Sequence, residues 1–333
     1  MKEREMEDQK ASIDVSAQGV LSARVRMGQN ARRTPLEVSH VLSQIIGGDV
    51  RIKMENLQHT GSFKFRGALN VMSLLTDDER KSGVIAPTAG NHGLGLSAAG
   101  KVEGVPVHIY LPRAADPSKV AAMTANGARI TYFDDIEDAR LAALAKAEES
   151  GLKFVSAYNE PAMVNAAGTV GLEILEDMPD VDVILACTGG GGLVSGIATI
   201  AQSLAPKTEV WGVQSENSPT FAEWLKADRA APLDLKPSIA EGISGTIEPE
   251  TITFPLIQER VARMATISEA EIAEAMLWML EHHAHVIEPS GAAGVAGALR
   301  YKADLKNKKV AVVVTGRNVA ASRYRSILDG VNG

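Results

Sequence analysis

Cysteine is almost missing. Cys187 is the only one in 333 residues, so neither a disulfide framework nor a thiolate metal cluster can be built, and a reducing cytoplasm is the simplest compartment. Aromatic residues are scarce at 4%, while the apolar fraction is an ordinary 45%. Lys and Arg total 34 against 41 Asp and Glu, a net charge of -7, and no basic run reverses that balance, which argues against a nucleic-acid partner. The stretch 183–206 is uncharged and long enough to cross a bilayer. Gly189 to Gly192 interrupt it, and each glycine costs a helix about 1 kcal/mol relative to alanine, so a strand, a glycine turn and a helix are expected there instead of a membrane span. The protein is expected to be soluble. Met1 to Lys10 is charged with no apolar core, which reads as a frayed tail and not a signal peptide.

The chain is long for one domain and comfortable for two. Scattered helical periodicity runs from Ser12 to about Ala31, and Thr34-Pro35 breaks it. His40 to Ile46 reads as a short helix ending at Gly47-Gly48, followed by a strand over Val50 to Met54. From Val84 strands and helices alternate: strands at 84–87, 107–111, 128–132, 155–156, 183–186 and 210–213, with helices opening near Asn91, Ser118, Asp135, Met163 and just after the glycine run. The alternation predicts right-handed crossovers and parallel sheets covered on both faces. The segment 216–255 is proline-rich and poorly patterned, the kind of long connection that is more often functional than idle. Ser268 with Glu271 predicts a capped helix to His283, and Val310 to Thr315 forms the last strand.

Three stretches carry chemistry. In Thr60-Gly-Ser-Phe-Lys-Phe-Arg-Gly-Ala68, the Thr-Gly-Ser lead-in reads as a turn with an N-cap hydroxyl, and Phe65, Ala68, Leu69, Met72 and Leu75 have helical spacing. Lys64 then sits in the first helical turn, where the helix dipole and the neighbours Phe63 and Phe65 favour the neutral, nucleophilic amine. By itself such a residue could equally be a surface lysine near a cap. Gly189, Gly190, Gly191 and Gly192, between Thr188 and Leu193, follow an apolar strand and precede a helix, an arrangement suited to phosphate. A dinucleotide fingerprint is a near miss, because its third glycine would fall on Ser195 or Val194. Thr88-Ala-Gly-Asn-His-Gly93 opens another helix just past a strand.

Together, in order and rough spacing, these stretches resemble three motifs of the fold-type II pyridoxal phosphate enzymes, in the threonine/serine dehydratase and serine racemase branch. The resemblance runs from about Thr34 to Asn318. It implies an α/β fold of two domains with open, mostly parallel twisted sheets, a small domain over 83–160 inserted between segments 1–82 and 161–333 of a large one, and a homodimer. It further implies pyridoxal 5'-phosphate held as a Schiff base on Lys64, with Phe63 against the ring and Asn91 on its phenolic oxygen. Gly189 to Gly192 and Leu193 would hold the phosphate, and Thr315 the pyridine nitrogen. Thr88, Ala89, Gly90, Asn91 and His92 would surround the substrate carboxylate, His92 as a polar cap and not a proton carrier. Glu288, Pro289 and Ser290 also resemble a motif near the ring. The chain ends soon after the last strand, so no C-terminal regulatory domain is expected.

The departures from the family pattern are informative. Arg317 stands where a second glycine is usual, facing solvent, the pyridine nitrogen or an anionic group of the substrate. Ala89 replaces the second serine of racemases. Gln214 and Thr220 fall where racemases place metal-binding carboxylates, so no metal is expected. The implied activity is dehydration of a hydroxy amino acid resembling threonine or serine, or a larger, more anionic analogue such as a 3-hydroxyaspartate-like or hydroxyectoine-derived acid, the last matching a hydroxyectoine-utilisation subgroup. Racemisation and β-replacement are the same-fold alternatives. A NAD(P)-dependent dehydrogenase or a non-catalytic phosphate-ligand-binding protein is the reading from other classes.

Overall fold

The computed structural model describes residues 14–331; the N-terminal tail discussed above lies outside them. In chain order the strands are β1 (Leu36–Val38), β2 (Asp49–Met54), β3 (Val84–Pro87), β4 (Val107–Pro112), β5 (Arg129–Phe133), β6 (Lys153–Phe154), β7 (Val183–Cys187), β8 (Glu209–Ser215), β9 (Arg263–Ile267) and β10 (Lys309–Val314). They form a six-stranded sheet, β1-β2-β10-β7-β8-β9, and a four-stranded sheet, β5-β4-β3-β6. Every pairing is parallel except β1 with β2, where Glu37 faces Ile52 across an antiparallel edge. In β10, Val310 pairs with Val50 on one side and Val183 on the other, and all residues from Val310 to Val314 are buried. An unbroken apolar run, Val310 to Val314, suits a strand covered on both faces.

That register positions the functional segments. β2, β10 and β7 lie side by side, and the chain leaves their carboxyl ends into the lysine segment, Thr315 and the glycine run respectively. In open parallel sheets that end is where ligands bind. The lysine segment is also pinned to β10's exit: Ser62 bridges Gly316, Phe63 N donates to Thr315 O at 3.1 Å, and Arg317 N donates to Gly61 O at 2.9 Å.

Beneath the lysine helix (Lys64–Ser73) lies a buried ionic cluster. Arg66 donates to both carboxylate oxygens of Glu55, at 2.7 and 2.9 Å, and of Glu173, at 2.7 and 2.9 Å. Lys53 Nζ donates to Glu173 Oε2 and to Thr34 O, each at 2.6 Å. Two cations balance two carboxylates, so each buried charge keeps a partner and the lysine helix is tied to β2 and to the helix Pro161–Asp177. Burial alone would raise the Glu173 carboxyl; hydrogen bonds and charge from Arg66 and Lys53 hold it below its usual range.

Several expectations need correction. β1, β9 and the helix Pro289–Arg300 carry no clear signal in the sequence. That helix is buried on nearly every side, so it lacks an amphipathic stripe, and its glycines suggest loop. The strand expected at 155–156 lies at Lys153–Phe154, although Val155 N still donates to Ile85 O at 3.0 Å. The proline-rich connection contains a helix, Thr220–Ala227. Among the described residues no helix is long and apolar enough to cross a membrane.

Candidate active site

Lys64 is the first residue of its helix, as expected, but no hydroxyl caps that helix. Its N-cap is Phe63 with no side-chain hydrogen bond, and Ser62 Oγ is buried without a partner. Bridging to Gly316 places Ser62 one residue too early to cap. Lys64 Nζ donates to Ala157 O at 2.7 Å and lies 5.1 Å from the centre of the Phe63 ring. Phe65 points elsewhere, packing edge-on against His59 with ring centres 5.9 Å apart, so it does not help to desolvate the amine. Part of the lysine side chain still meets solvent, while its amine is enclosed. Burial pulls the ammonium down from 10.5 to about 8, with a weak opposing contribution from Cys187.

The glycine run brings the second element to the same place. Gly192 and Leu193 line a small void of about 10 Å³ together with Phe63, Lys64 and Ala157. The helix Gly192–Leu204 has Gly191 as its N-cap at φ 83°, with no side-chain cap, so its first-turn N–H groups are free for an anion. A Cβ on Gly190 would come within 2.2 Å of the Tyr158 ring, so only glycine allows this approach. Tyr158 in turn donates its hydroxyl to Glu248, which anchors the proline-rich connection beside the loop. Ser195 Oγ, in the same helix, is buried and unpartnered.

The third stretch opens the helix Asn91–Glu103, whose N-cap Gly90 also lacks a side-chain bond; Thr88 Oγ1 accepts from Gly90 N at 3.3 Å and Ala89 is half-buried beside it. His92 is buried, and its Nε2–H donates to Val155 O at 3.0 Å. Burial first, then the charge of Lys64, pushes the imidazole down to about 3, so it stays neutral. Thr315 directly follows β10, with its hydroxyl 3.4 Å from Cys187 Sγ. Burial pushes that thiol up to about 11, so it remains a thiol.

Asn318 and Ala157 belong to this cluster without having been named for it, and Glu288, expected only as part of a motif near the ring, joins them. Asn91 Nδ2 donates to Glu288 Oε1 at 2.6 Å, and Asn318 Nδ2 donates to Asn91 Oδ1 at 2.7 Å. Besides that resemblance, the sequence signals for Glu288 and Asn318 are a carboxylate before Pro289 and an Asn just after the last strand.

Arg317 stands apart from the buried cluster. It is exposed, and its guanidinium makes no hydrogen bond or ion pair among the described residues. It lines a cleft of about 910 Å³ with His59, Lys101, Lys119 and Asn318. At the position expected to lack a metal, Gln214 Oε1 accepts from Ala222 N at 3.0 Å, and Thr220 Oγ1 is buried without a partner.

Known proteins resemble this chain along most of its length. The family described as "Pyridoxal-phosphate dependent enzyme" matches residues 28–316. An L-threonine ammonia-lyase of Thermotoga maritima is 40% identical over 95% of this chain and 78% of its own length. An L-threo-3-hydroxyaspartate ammonia-lyase of a Pseudomonas species is 35% identical over 93% of this chain and 98% of its own. The solved structure of maize serine racemase superposes with a TM-score of 0.89 at 29% identity, covering 95% of this chain and 98% of that one.

Proposed function

The chain belongs to the family of pyridoxal-phosphate dependent enzymes, and from that premise we propose that it is a dehydratase of the ammonia-lyase type, converting a β-hydroxy amino acid to a 2-oxo acid and ammonia. The residues present fit the cofactor. A buried lysine amine lies beside an uncapped, glycine-only helix N-terminus, and Ser62 and Ser195 keep buried hydroxyls without protein partners. Lys64 would hold the aldehyde carbon, Gly189 to Gly192 with Leu193 the phosphate, Thr315 the ring nitrogen, Phe63 the ring face and Asn91 the ring oxygen. When bound, the cofactor draws the electrons of the substrate's breaking bonds into its ring. The two sheets, 84–154 in one and the flanking strands in the other, would act as small and large domains around it.

The enclosed amine of Lys64 is the observation that carries this reading. At pH 7 a group titrating at about 8 is neutral in about one molecule in ten, against about one in three thousand at 10.5. That neutral share lets Nζ take the Cα proton as a general base. Thr88 to His92 receive the substrate carboxylate at a second uncapped helix N-terminus. His92 stays neutral and shuttles no proton.

The unpaired guanidinium of Arg317, among Lys101 and Lys119 on the cleft wall, supports a substrate with a second anionic group, of the 3-hydroxyaspartate kind. The test compares release of 2-oxo acid and ammonia from L-serine, L-threonine and L-threo-3-hydroxyaspartate. Arg317→Gly is expected to lower kcat/KM for hydroxyaspartate by about 1.5–3 kcal/mol, the scale of a hydrogen bond to a charged group, and to affect serine much less. Equal losses on both substrates would remove the guanidinium from substrate selection. Absence of any 2-oxo acid would overturn the dehydratase reading.

A further inference from the structure

Asn91, Asn318 and Glu288 come from three distant parts of the chain, yet they form one hydrogen-bonded line. Asn318 Nδ2 donates to Thr60 O at 2.8 Å and to Asn91 Oδ1 at 2.7 Å, and Asn91 Nδ2 donates to Glu288 Oε1 at 2.6 Å. The direction of the line is decided at its backbone end. A carbonyl oxygen can only accept, so Asn318 must turn its amide nitrogen toward Thr60. Asn91 must then offer its oxygen to Asn318 and its nitrogen to Glu288. One N–H of Asn91 is used in this way; the other has no partner among the described residues.

Glu288 has little freedom to move. Its own N–H donates to Gly316 O at 3.1 Å, and a Cβ on Gly316 would come within 1.9 Å of its Oε1. The residue is 7% exposed, and among the described residues no cation comes within ion-pair distance, although the charge of Lys119 acts on it from farther away. A buried carboxylate with only an amide for a partner is costly, and a glutamine of the same shape would accept the same hydrogen bond at less cost. Burial pushes the Glu288 carboxyl up to about 7, with the charge of Lys119 and the Asn91 hydrogen bond opposing; in its ionised form it adds a charge-assisted bond that polarises the Asn91 amide and strengthens its remaining donor.

We propose that Glu288 and Asn318 are positioning residues for the reaction: they lock the Asn91 amide so that its remaining N–H is kept for the cofactor's ring oxygen, and Glu288 strengthens that donor. This rests on the site reading above, in which Lys64 carries the cofactor.

The test uses holoenzyme and reads the visible absorption maximum of the bound cofactor alongside kcat and KM for Asn91→Ala, Glu288→Ala, Glu288→Gln, Asn318→Ala and the double variant Asn91→Ala/Glu288→Ala. Losing Asn91 or Glu288 is expected to displace the band in the same direction. Each should lower kcat by about tenfold or more, the scale of a lost charge-assisted hydrogen bond, with a smaller change in KM. The double variant should be no worse than Asn91→Ala alone, because Glu288 acts only through Asn91. Glu288→Gln keeps the acceptor and loses the charge, so its band should lie between those of the unaltered and Glu288→Ala proteins. A Glu288→Ala protein with an unmoved band, or losses that multiply in the double variant, overturns the proposal. If Glu288→Ala does not fold, Asn318→Ala is held to the same criteria: a band displaced as in Asn91→Ala supports the proposal and an unmoved band refutes it. Failure of the underlying site reading would look different, as an unaltered protein with no visible band that borohydride bleaches.

Discussion

Replacing Lys64 by methionine is expected to stabilise the cofactor-free protein while abolishing its chemistry. In the folded protein burial holds the ammonium at about 8 against an ordinary 10.5, a difference worth about 3 kcal/mol at 1.36 kcal/mol per unit. Because part of the side chain still meets solvent, about 2 kcal/mol is the firmer figure. Methionine keeps the apolar stem and loses the hydrogen bond to Ala157 O, which offsets about 1 kcal/mol. A net gain of about 1 kcal/mol or more should therefore appear at pH 7. The sign fixes the pH dependence. A depressed lysine binds fewer protons folded than unfolded between about 8 and 10.5, so the unaltered apoprotein gains stability as pH rises through that window. The advantage of the methionine variant should be full below that window and disappear toward its upper end. Urea denaturation of both apoproteins at pH 7 and pH 10 reads this directly. A variant less stable at pH 7, or a difference that does not change with pH, would refute the enclosed, destabilised amine on which the general-base argument rests.

Two further outcomes follow from the same geometry. Glu173→Gln leaves Arg66 and Lys53 short of a buried counter-charge and should cost about 3–5 kcal/mol in chemical denaturation; a loss under 1 kcal/mol would mean the cluster relaxes or is hydrated. In the proposed site Ala89 stands where racemases carry a serine and has no proton to deliver, so D-serine should form from L-serine far more slowly than pyruvate; chiral chromatography showing comparable rates would put a proton donor elsewhere in the site.

Lys64 at a helix start and the glycine run between a strand and a helix were legible in the sequence because both are local: a few adjacent residues set the turn, the missing side chains and the helix that follows. The partner of Asn91 was not legible, since Glu288 lies 197 positions away and meets it only because two sheets bring their loops together. Ser62 shows the limit of local reasoning. A Thr-Gly-Ser lead-in favours a hydroxyl cap, but pairing of Ser62 with Gly316 fixes the backbone first and leaves its Oγ buried and unpaired. Phe65 fails for a related reason: neighbours in sequence on a helix point about 100° apart, so it faces His59 while Lys64 faces Ala157. Burial on nearly every side erased the periodicity of the helix Pro289–Arg300, leaving Pro289 as the one local signal that Glu288 precedes a helix.

The central claim, that Lys64 is the residue joined to the cofactor, is tested most directly by reducing the purified holoenzyme with borohydride and locating the modification by peptide mass spectrometry. The account predicts that the visible band is bleached and that the phosphopyridoxyl group is found on the peptide containing Ser62-Phe-Lys-Phe-Arg66, at Lys64. A label on any other lysine, or a protein with no band to bleach, would contradict it.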